Sequence, residues 1–118
     1  AFRLRLEPAR MSELAASATA RHTLNSFCTV FAGTEVLDCL RRRVAMPELL
    51  RGMYAAVAER VREIAPLKPP VLLSGGVAAH HRVFADVFAE VTGVTPTVVA
   101  APQFLAARGA ARLDQEAA

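Results

Sequence analysis

A short apolar run enclosed by prolines and glycines constrains the fold of this chain more than any other feature. Residues 71–73 follow Pro70, and Gly75 and Gly76 come directly after Ser74. An apolar run of this length between chain-breaking residues is typical of a buried strand. The paired glycines then turn the chain, so this stretch predicts a strand that passes through a tight turn into a helix.

The sequence after this turn repeats the order of strand and helix. The helix is expected to stop near Gly93, a second strand to cover residues 97–99, and a last helix to open at Pro102. Strands connected in this way form parallel, right-handed crossover units. The second half of the chain therefore predicts an α/β fold with short parallel strands and flanking helices. On the helix after the glycines, the residues expected to face inward are Val83, Phe84, Val87, Phe88 and Val91.

The first 43 residues indicate two helices with a short connection between them. A helical pattern runs from Pro8 to about Ala20, and residues 21–26 have the composition of a short strand. The next helix is expected to start near Cys28, capped by Asn25 or Ser26, and to close at Arg41–Arg43. On the first helix the side expected to face inward holds Met11, Leu14 and Ala18.

The most regular helical pattern follows Pro47, a residue suited to the first turn of a helix. Its apolar residues recur at steps of three and four, and three prolines end it between residues 66 and 70. The expected inward face consists of Leu50, Met53, Tyr54, Val57, Val61 and Ile64.

Composition places the chain among globular proteins. Of its 118 residues, 53% are hydrophobic and 21% are charged, which excludes a disordered chain. No apolar run reaches the roughly 20 residues of a transmembrane helix, and the N-terminus lacks the apolar centre of a signal peptide. We therefore expect no membrane association and a single lobe without an internal boundary, organised as segments 1–25, 26–66 and 70–116.

The charge distribution does not favour a nucleic-acid partner. The formal net charge is +3, and the basic run is Arg41–Arg43, where a helix C-terminus favours cations. The chain has one tyrosine and no tryptophan, so stacking on bases has little support.

The glycine turn is the first candidate site. In open α/β sheets, ligands bind beyond the carboxyl ends of the strands, and a helix N-terminus there presents free N–H groups. Gly75 and Gly76 would let a flat or anionic ligand approach the backbone closely. The alternative is a tight structural turn, because the chain has neither a phosphate-loop motif nor a dinucleotide fingerprint.

The two cysteines form the second candidate feature. If one helix carries both Cys28 and Cys39, they lie about 16 Å apart, too far for a disulfide. Two unbridged thiols fit a reducing, cytoplasmic location. A cysteine at a helix start has a stabilised thiolate, which suits Cys28 to metal or cluster ligation and to redox reactivity; the alternative is that Cys28 is a small buried apolar residue. Cys39, deeper in the helix, is expected to be core.

The histidines give no metal-site pattern. His80 and His81 are adjacent, and neighbouring helical residues point about 100° apart, so they are poorly placed to bind one ion. No zinc motif and no hydrolase nucleophile motif is present.

Four motifs follow one another along the chain: Cys28–Ala32 with Glu35 and Val36; Gly52, Ala56 and residues 57–61; Leu73–Ala78; and Pro102, Gln103 and Gly109–Ala111. In this order they resemble motifs of the ATP-dependent activators of 2-hydroxyacyl-CoA dehydratases and of the related ATPase subunits of benzoyl-CoA reductase. The resemblance implies a partial C-terminal lobe of an actin-like, ribonuclease H-like ATPase fold.

The same resemblance implies cofactors, partners and site residues. It implies ATP or ADP with Mg²⁺, with Gly75, Gly76 and Gln103 on the nucleotide side. It also implies a 4Fe–4S cluster shared between two subunits of a homodimer, with Cys28 as one ligand. The partner would be a dehydratase or reductase component that receives electrons. No catalytic residue is assigned within this chain.

Several expected family features do not occur in this sequence. The first ligand cysteine and the phosphate-binding motifs have no counterpart here, and His80 stands where an asparagine is usual. The chain alone is therefore not expected to hydrolyse ATP. Two alternatives stay open: a non-catalytic lobe that acts as an interaction module, and part of a sugar-kinase-like phosphotransferase.

Overall fold

The computed structural model describes residues 4–25 and 29–117. From residue 70 onward, strands and helical segments alternate as predicted. Two two-residue strands pair in parallel, with Leu72 opposite Thr97 and Leu73 opposite Val98. The helices are α1 (Pro8–Ser17), α2 (Thr29–Arg41), α3 (Met46–Ile64), α4 (Gly75–His80), α5 (Val83–Thr92) and α6 (Leu105–Ala117); the strands are β1 (Leu72–Leu73) and β2 (Thr97–Val98); and a 3₁₀ turn covers Pro102–Phe104.

The main core lies where α1, α3 and α5 pack together. Phe88 and Leu50 are almost fully buried in it, and Met11 closes it from α1. Two polar contacts fix the packing. The Ser12 hydroxyl accepts the N–H of Val83 at 2.9 Å. Arg51, whose side chain is nearly buried, donates to the carbonyl of Ala15 at 2.9 Å and pairs with Glu90. These contacts join α1, α3 and α5 into one unit.

The predicted inward face of α5 is confirmed, since Val83, Phe84, Val87 and Phe88 are buried. The helix also ends as predicted at Gly93, which has a left-handed φ of 73° and donates its N–H to the carbonyl of Ala89.

The predicted face of α3 is partly wrong. Leu50 and Tyr54 are buried as expected, whereas Val57 is 50% and Ile64 82% exposed. Ile64 is the last residue of α3. Val57 lies within the helix, next to Ala58, which is fully buried, so its exposure belongs to one side of α3 and not to its end. The buried face instead includes small residues that allow close helix packing. The buried residues of α3 are Leu49, Leu50, Gly52, Tyr54, Ala55 and Ala58.

The predicted strand over residues 21–26 is wrong for residues 21–25, which lie outside any strand; Ser26 is outside the described residues. This segment lies along α3, where the N–H of His22 donates to the carbonyl of Glu48 at 3.1 Å. A Cβ on Gly52 would come within 1.9 Å of the His22 carbonyl oxygen, so the glycine allows this close approach. Contact with a helix replaces the pairing that a strand would need.

Both strands are shorter and more exposed than predicted. Leu72 is 63% and Val98 42% exposed. The sheet has two strands in the described part of the chain. Helices therefore do not cover both of its faces, as they do in larger parallel sheets. α6 likewise contains no buried residue. The first helix ends at Ser17 rather than near Ala20.

Candidate functional site

The carboxyl ends of the two strands place the predicted nucleotide residues at one edge of the sheet. Because β1 and β2 run parallel, the chain leaves both strands at the same edge. β1 leads through Ser74 into Gly75 and Gly76, and β2 leads through Ala101 into Gln103. The structure therefore brings together three of the residues that the sequence assigned to a cofactor, although they are far apart in the chain.

The backbone at the two glycines is accessible. Gly75 has a φ of 91°, a conformation that side chains disfavour, and it begins α4. No heavy atom outside the neighbouring backbone lies within 4 Å of the position of a Cβ on Gly75 or on Gly76. A ligand can thus approach this backbone without meeting another part of the described structure.

A side-chain hydrogen bond joins the two segments that leave the strands. Nε2 of His80, at the end of α4, lies 3.0 Å from Oε1 of Gln103 in the 3₁₀ turn. With this amide oxygen as acceptor, Nε2 is the donor and carries the proton. The contact holds Gln103 beside α4, and the amide nitrogen of Gln103 keeps its two donors for other partners.

A pocket of about 360 Å³ lies beside this edge. Its walls are largely apolar and come from the last residue of each strand, from α4, from α5 and from the start of the 3₁₀ turn. The lining residues are Leu73, Ala78, Ala79, His81, Arg82, Ala85, Val98 and Pro102. Ligand pockets of small molecules commonly span roughly 300–1,000 Å³ and have this mainly apolar character.

The pair Tyr54 and His81 was missed as a site feature by sequence reasoning, which assigned Tyr54 to the core and considered His81 only as a metal ligand. Tyr54 is indeed buried, but its hydroxyl lies 2.6 Å from Nδ1 of His81, and the rings meet edge to face at 5.5 Å. Burial raises the pKa of Tyr54 to about 12 and lowers the pKa of His81. A tyrosine from α3 and a histidine 27 residues later have no spacing signal that would have paired them.

The same contact accounts for a break in a helix that the sequence predicted as one. α4 ends at His80 and α5 begins at Val83. At this junction Tyr54 holds His81, and Ser12 takes the N–H of Val83. At this junction the chain is therefore not a continuous helix, and it makes two contacts instead, one with α3 and one with α1.

The two cysteines differ in what the structure shows. Cys28 lies outside the described residues. Cys39 is 3% exposed and packs with Val36 and Leu49, which confirms its prediction as core. Burial, followed by the nearby carboxylates Glu35 and Asp38, raises the pKa of the Cys39 thiol. Cys39 is thus poorly suited to act as a thiolate ligand.

The donor set of this chain does not by itself fit a complete iron–sulfur cluster. Such a 4Fe–4S cluster is commonly held by four cysteine thiolates. The chain has two cysteines, of which Cys39 is enclosed in the core. Within residues 4–25 and 29–117, no group of three or more His, Cys, Asp or Glu side chains is arranged to hold a metal ion. Cys28 is left as a single candidate thiolate.

Comparison with known proteins places the chain beside one group of enzymes. No family model matches it. Over 114 residues it is 37% identical to the activator of lactoyl-CoA dehydratase of Anaerotignum propionicum, a match that covers 92% of this chain and 42% of that protein. Over 83 residues it is 32% identical to the (R)-2-hydroxyglutaryl-CoA dehydratase activating ATPase of Acidaminococcus fermentans, covering 68% of this chain and 32% of that protein.

Two solved structures share its fold. One is the activator of the 2-hydroxyisocaproyl-CoA dehydratase from Clostridium difficile with bound ADPNP, which matches 99% of this chain and 47% of its own with a TM-score of 0.76 at 20% identity. The other is component A of the (R)-2-hydroxyglutaryl-CoA dehydratase of Acidaminococcus fermentans, which matches 86% of this chain and 40% of its own with a TM-score of 0.76 at 28% identity. The chain spans less than half the length of each of these relatives. No described helix is both long and apolar enough to cross a bilayer.

Proposed function

Since this chain corresponds in sequence and in fold to part of an activator of 2-hydroxyacyl-CoA dehydratases, we propose that it supplies the adenosine side of an ATP-driven electron-transfer activator. The fold expected from the resemblance, a partial α/β lobe of the actin-like ATPases, is confirmed by both structural matches. The observation that carries the proposal is the 37% identity across 92% of the chain with the lactoyl-CoA dehydratase activator.

Nucleotide binding at the carboxyl edge of the sheet is the first part of the proposal. One structural relative has ADPNP bound. Gly75 and Gly76, at the start of α4, offer an uncovered backbone, and Gln103 has amide donors next to His80, at the end of the same helix. In this arrangement the glycine backbone would contact the sugar and the phosphate side of the nucleotide, while Gln103 orients it. Mg²⁺ would be held by groups other than the described residues, among which no three or more His, Cys, Asp or Glu side chains are grouped to hold a metal ion.

Gly76→Ala is expected to weaken ATP binding at least several-fold without destabilising the protein. Beyond the local helix backbone and the adjacent residues, the new methyl group meets no atom of the described residues within 4 Å, and alanine is favoured over glycine in a helix by about 1 kcal/mol, so folding is preserved. It does occupy the space through which a ligand approaches the backbone. Isothermal titration calorimetry with ATP and thermal denaturation would measure the two effects separately.

Gly93→Ala is the matched control for this substitution. Gly93 has a φ of 73°, which alanine adopts only under strain, and it lies at the C-terminal end of α5, opposite to the junction with α4. This variant should lose stability while keeping the ATP affinity of the wild type. Equal ATP affinities for Gly76→Ala and the wild type would count against a nucleotide at the glycine turn.

Participation in an iron–sulfur centre is the second part of the proposal. Such a cluster, when bound, carries the electron that the activator passes on. This chain would contribute Cys28 as one thiolate. We propose that a cysteine from outside this segment and the equivalent pair from a second subunit of a homodimer complete the ligand set, because two copies of this chain offer at most two suitable thiolates.

Cys28→Ala is expected to abolish the visible absorption of the cluster after anaerobic purification of the activator. Cys39→Ala is the matched control and should retain it, because Cys39 is a core residue with a raised thiol pKa. Iron content and absorption spectra of the two variants and the wild type would be compared. Retention of the full cluster by Cys28→Ala would remove Cys28 from the ligand set.

The partner proposed for the activator is a 2-hydroxyacyl-CoA dehydratase component. Two relatives carry the names of activators of lactoyl-CoA and 2-hydroxyisocaproyl-CoA dehydratases. A benzoyl-CoA reductase component is a second candidate that rests on the family resemblance alone. The free, buried thiol of Cys39 accords with a reducing compartment such as the cytoplasm.

A further inference from the structure

The pocket beside the glycine turn has apolar walls and polar side chains that act as donors. Leu73 and Val98, the last residues of the paired strands, form one wall, and Pro102 lies at the start of the 3₁₀ turn. Its two polar lining residues are His81 and Arg82, neither of which supplies a carboxylate or amide oxygen. A ligand that fits this lining is flat or apolar and presents acceptor atoms.

The buried tyrosine determines which nitrogen of His81 carries the proton. Among the described residues, His81 is the hydrogen-bond partner of the Tyr54 hydroxyl, at 2.6 Å. If Nδ1–H donated to the tyrosine oxygen, the buried phenol proton would have no acceptor. Tyr54 therefore donates to Nδ1, and the neutral imidazole carries its proton on Nε2. Because burial raises the pKa of Tyr54 and lowers that of His81, both groups are neutral near pH 7.

We propose that this pocket takes the nucleobase of the bound nucleotide, that His81 donates its Nε2–H to a ring nitrogen of the base, and that Tyr54 is the positioning residue that fixes this donor. The proposal rests on the proposed nucleotide function and adds a specificity residue to it.

The location of the pocket supports a base rather than another flat ligand. The pocket and the glycine turn share the carboxyl edge of the sheet, with Leu73 in the pocket wall and Gly75 two residues later. A nucleotide with its sugar beside the glycines therefore has its base within reach of the apolar wall. Purine rings are flat and have unprotonated ring nitrogens, which accept the hydrogen bond that His81 offers. Exposed Arg82 adds positive charge to the same lining, which suits an anionic ligand.

Nuclear magnetic resonance of the histidine rings, combined with ATP titration, tests the inference. The spectrum of the wild-type protein should show His81 as the Nε2–H tautomer, and ATP should shift its Nε2–H signal. Tyr54→Phe keeps the ring in the core but should yield a mixture of tautomers. His81→Phe keeps an aromatic wall without a donor and should weaken ATP binding about five-fold, the effect of losing one hydrogen bond of about 1 kcal/mol. His22→Phe is the control, because His22 does not line the pocket.

The outcomes separate this inference from the proposed function. If the wild type binds ATP while His81→Phe binds it equally well and the His81 signals do not shift, the base lies elsewhere and the inference is wrong. An Nδ1–H tautomer in the free wild-type protein would also overturn it, independently of ATP. If the wild type binds no ATP, the proposed function itself fails and this assignment fails with it.

Discussion

Phe88→Ala is expected to lower the free energy of unfolding by about 3–5 kcal/mol. Phe88 is 1% exposed and lies on α5 at the centre of the packing between α1, α3 and α5. Its ring contacts that of Phe84 at 6.0 Å between centroids. Truncation would remove this apolar contact and leave a cavity that the helices cannot close, since Arg51 and Ser12 fix their relative positions. Domains of ordinary stability have only about 5–15 kcal/mol in total, so the effect is a large share of it.

Phe104→Ala is the matched control, with the same chemical change on the surface. Phe104 is 57% exposed in the 3₁₀ turn, so its truncation should change stability little. Urea denaturation followed by circular dichroism gives the free energy of unfolding for both variants. Equal losses for the two substitutions would mean that the core does not lie between these three helices.

Gly52→Ala should lower the free energy of unfolding by about 1–3 kcal/mol, although alanine is the better helix former. Its Cβ would lie 1.9 Å from the carbonyl oxygen of His22 and 3.0 Å from the carbonyl carbon. Both are backbone atoms, so relief requires the 21–25 segment to move away from α3. That movement would also break the hydrogen bond from the His22 N–H to the Glu48 carbonyl.

Gly109→Ala provides the comparison for this second prediction. Gly109 lies in exposed α6, and beyond the local helix no atom of the described part of the chain lies within 4 Å of its Cβ position, so alanine should be neutral or stabilise the protein by up to about 1 kcal/mol. Thermal denaturation of the two alanine variants would be measured side by side. A Gly52→Ala variant as stable as the wild type would show that the segment does not rest on α3.

The fold could be predicted where side-chain periodicity and chain-breaking residues act locally. Gly93 ends α5, and the four buried residues of α5 follow the helical repeat. Prediction failed where a distant contact decides. Residues 21–25 have a strand-like composition, yet they bond to α3 because Gly52 leaves room for them. The burial of Val57 was also predicted wrongly, because the helical repeat does not show which side of α3 the neighbouring elements cover.

The candidate site could be predicted where a local sequence signal or the family resemblance marks a residue. Gly75 and Gly76 stand out in the sequence because they follow an apolar run with one serine between, and Gln103 was assigned from the family resemblance. Parallel strand pairing then explains why these residues meet. Tyr54 and His81 could not be paired, because their contact depends on the packing of α5 against α3 and has no local signal.

The break between α4 and α5 makes the stability of α4, the proposed binding segment, largely independent of the stability of the core. α4 contains no buried residue, whereas α5 contributes four to the core. Substitutions in α4 therefore alter the ligand environment with little cost to the global fold, and local opening of α4 does not require the core to unfold. Such a segment can change in sequence while the stability of the protein is kept by other residues, and under the proposed function such changes would adjust nucleotide affinity.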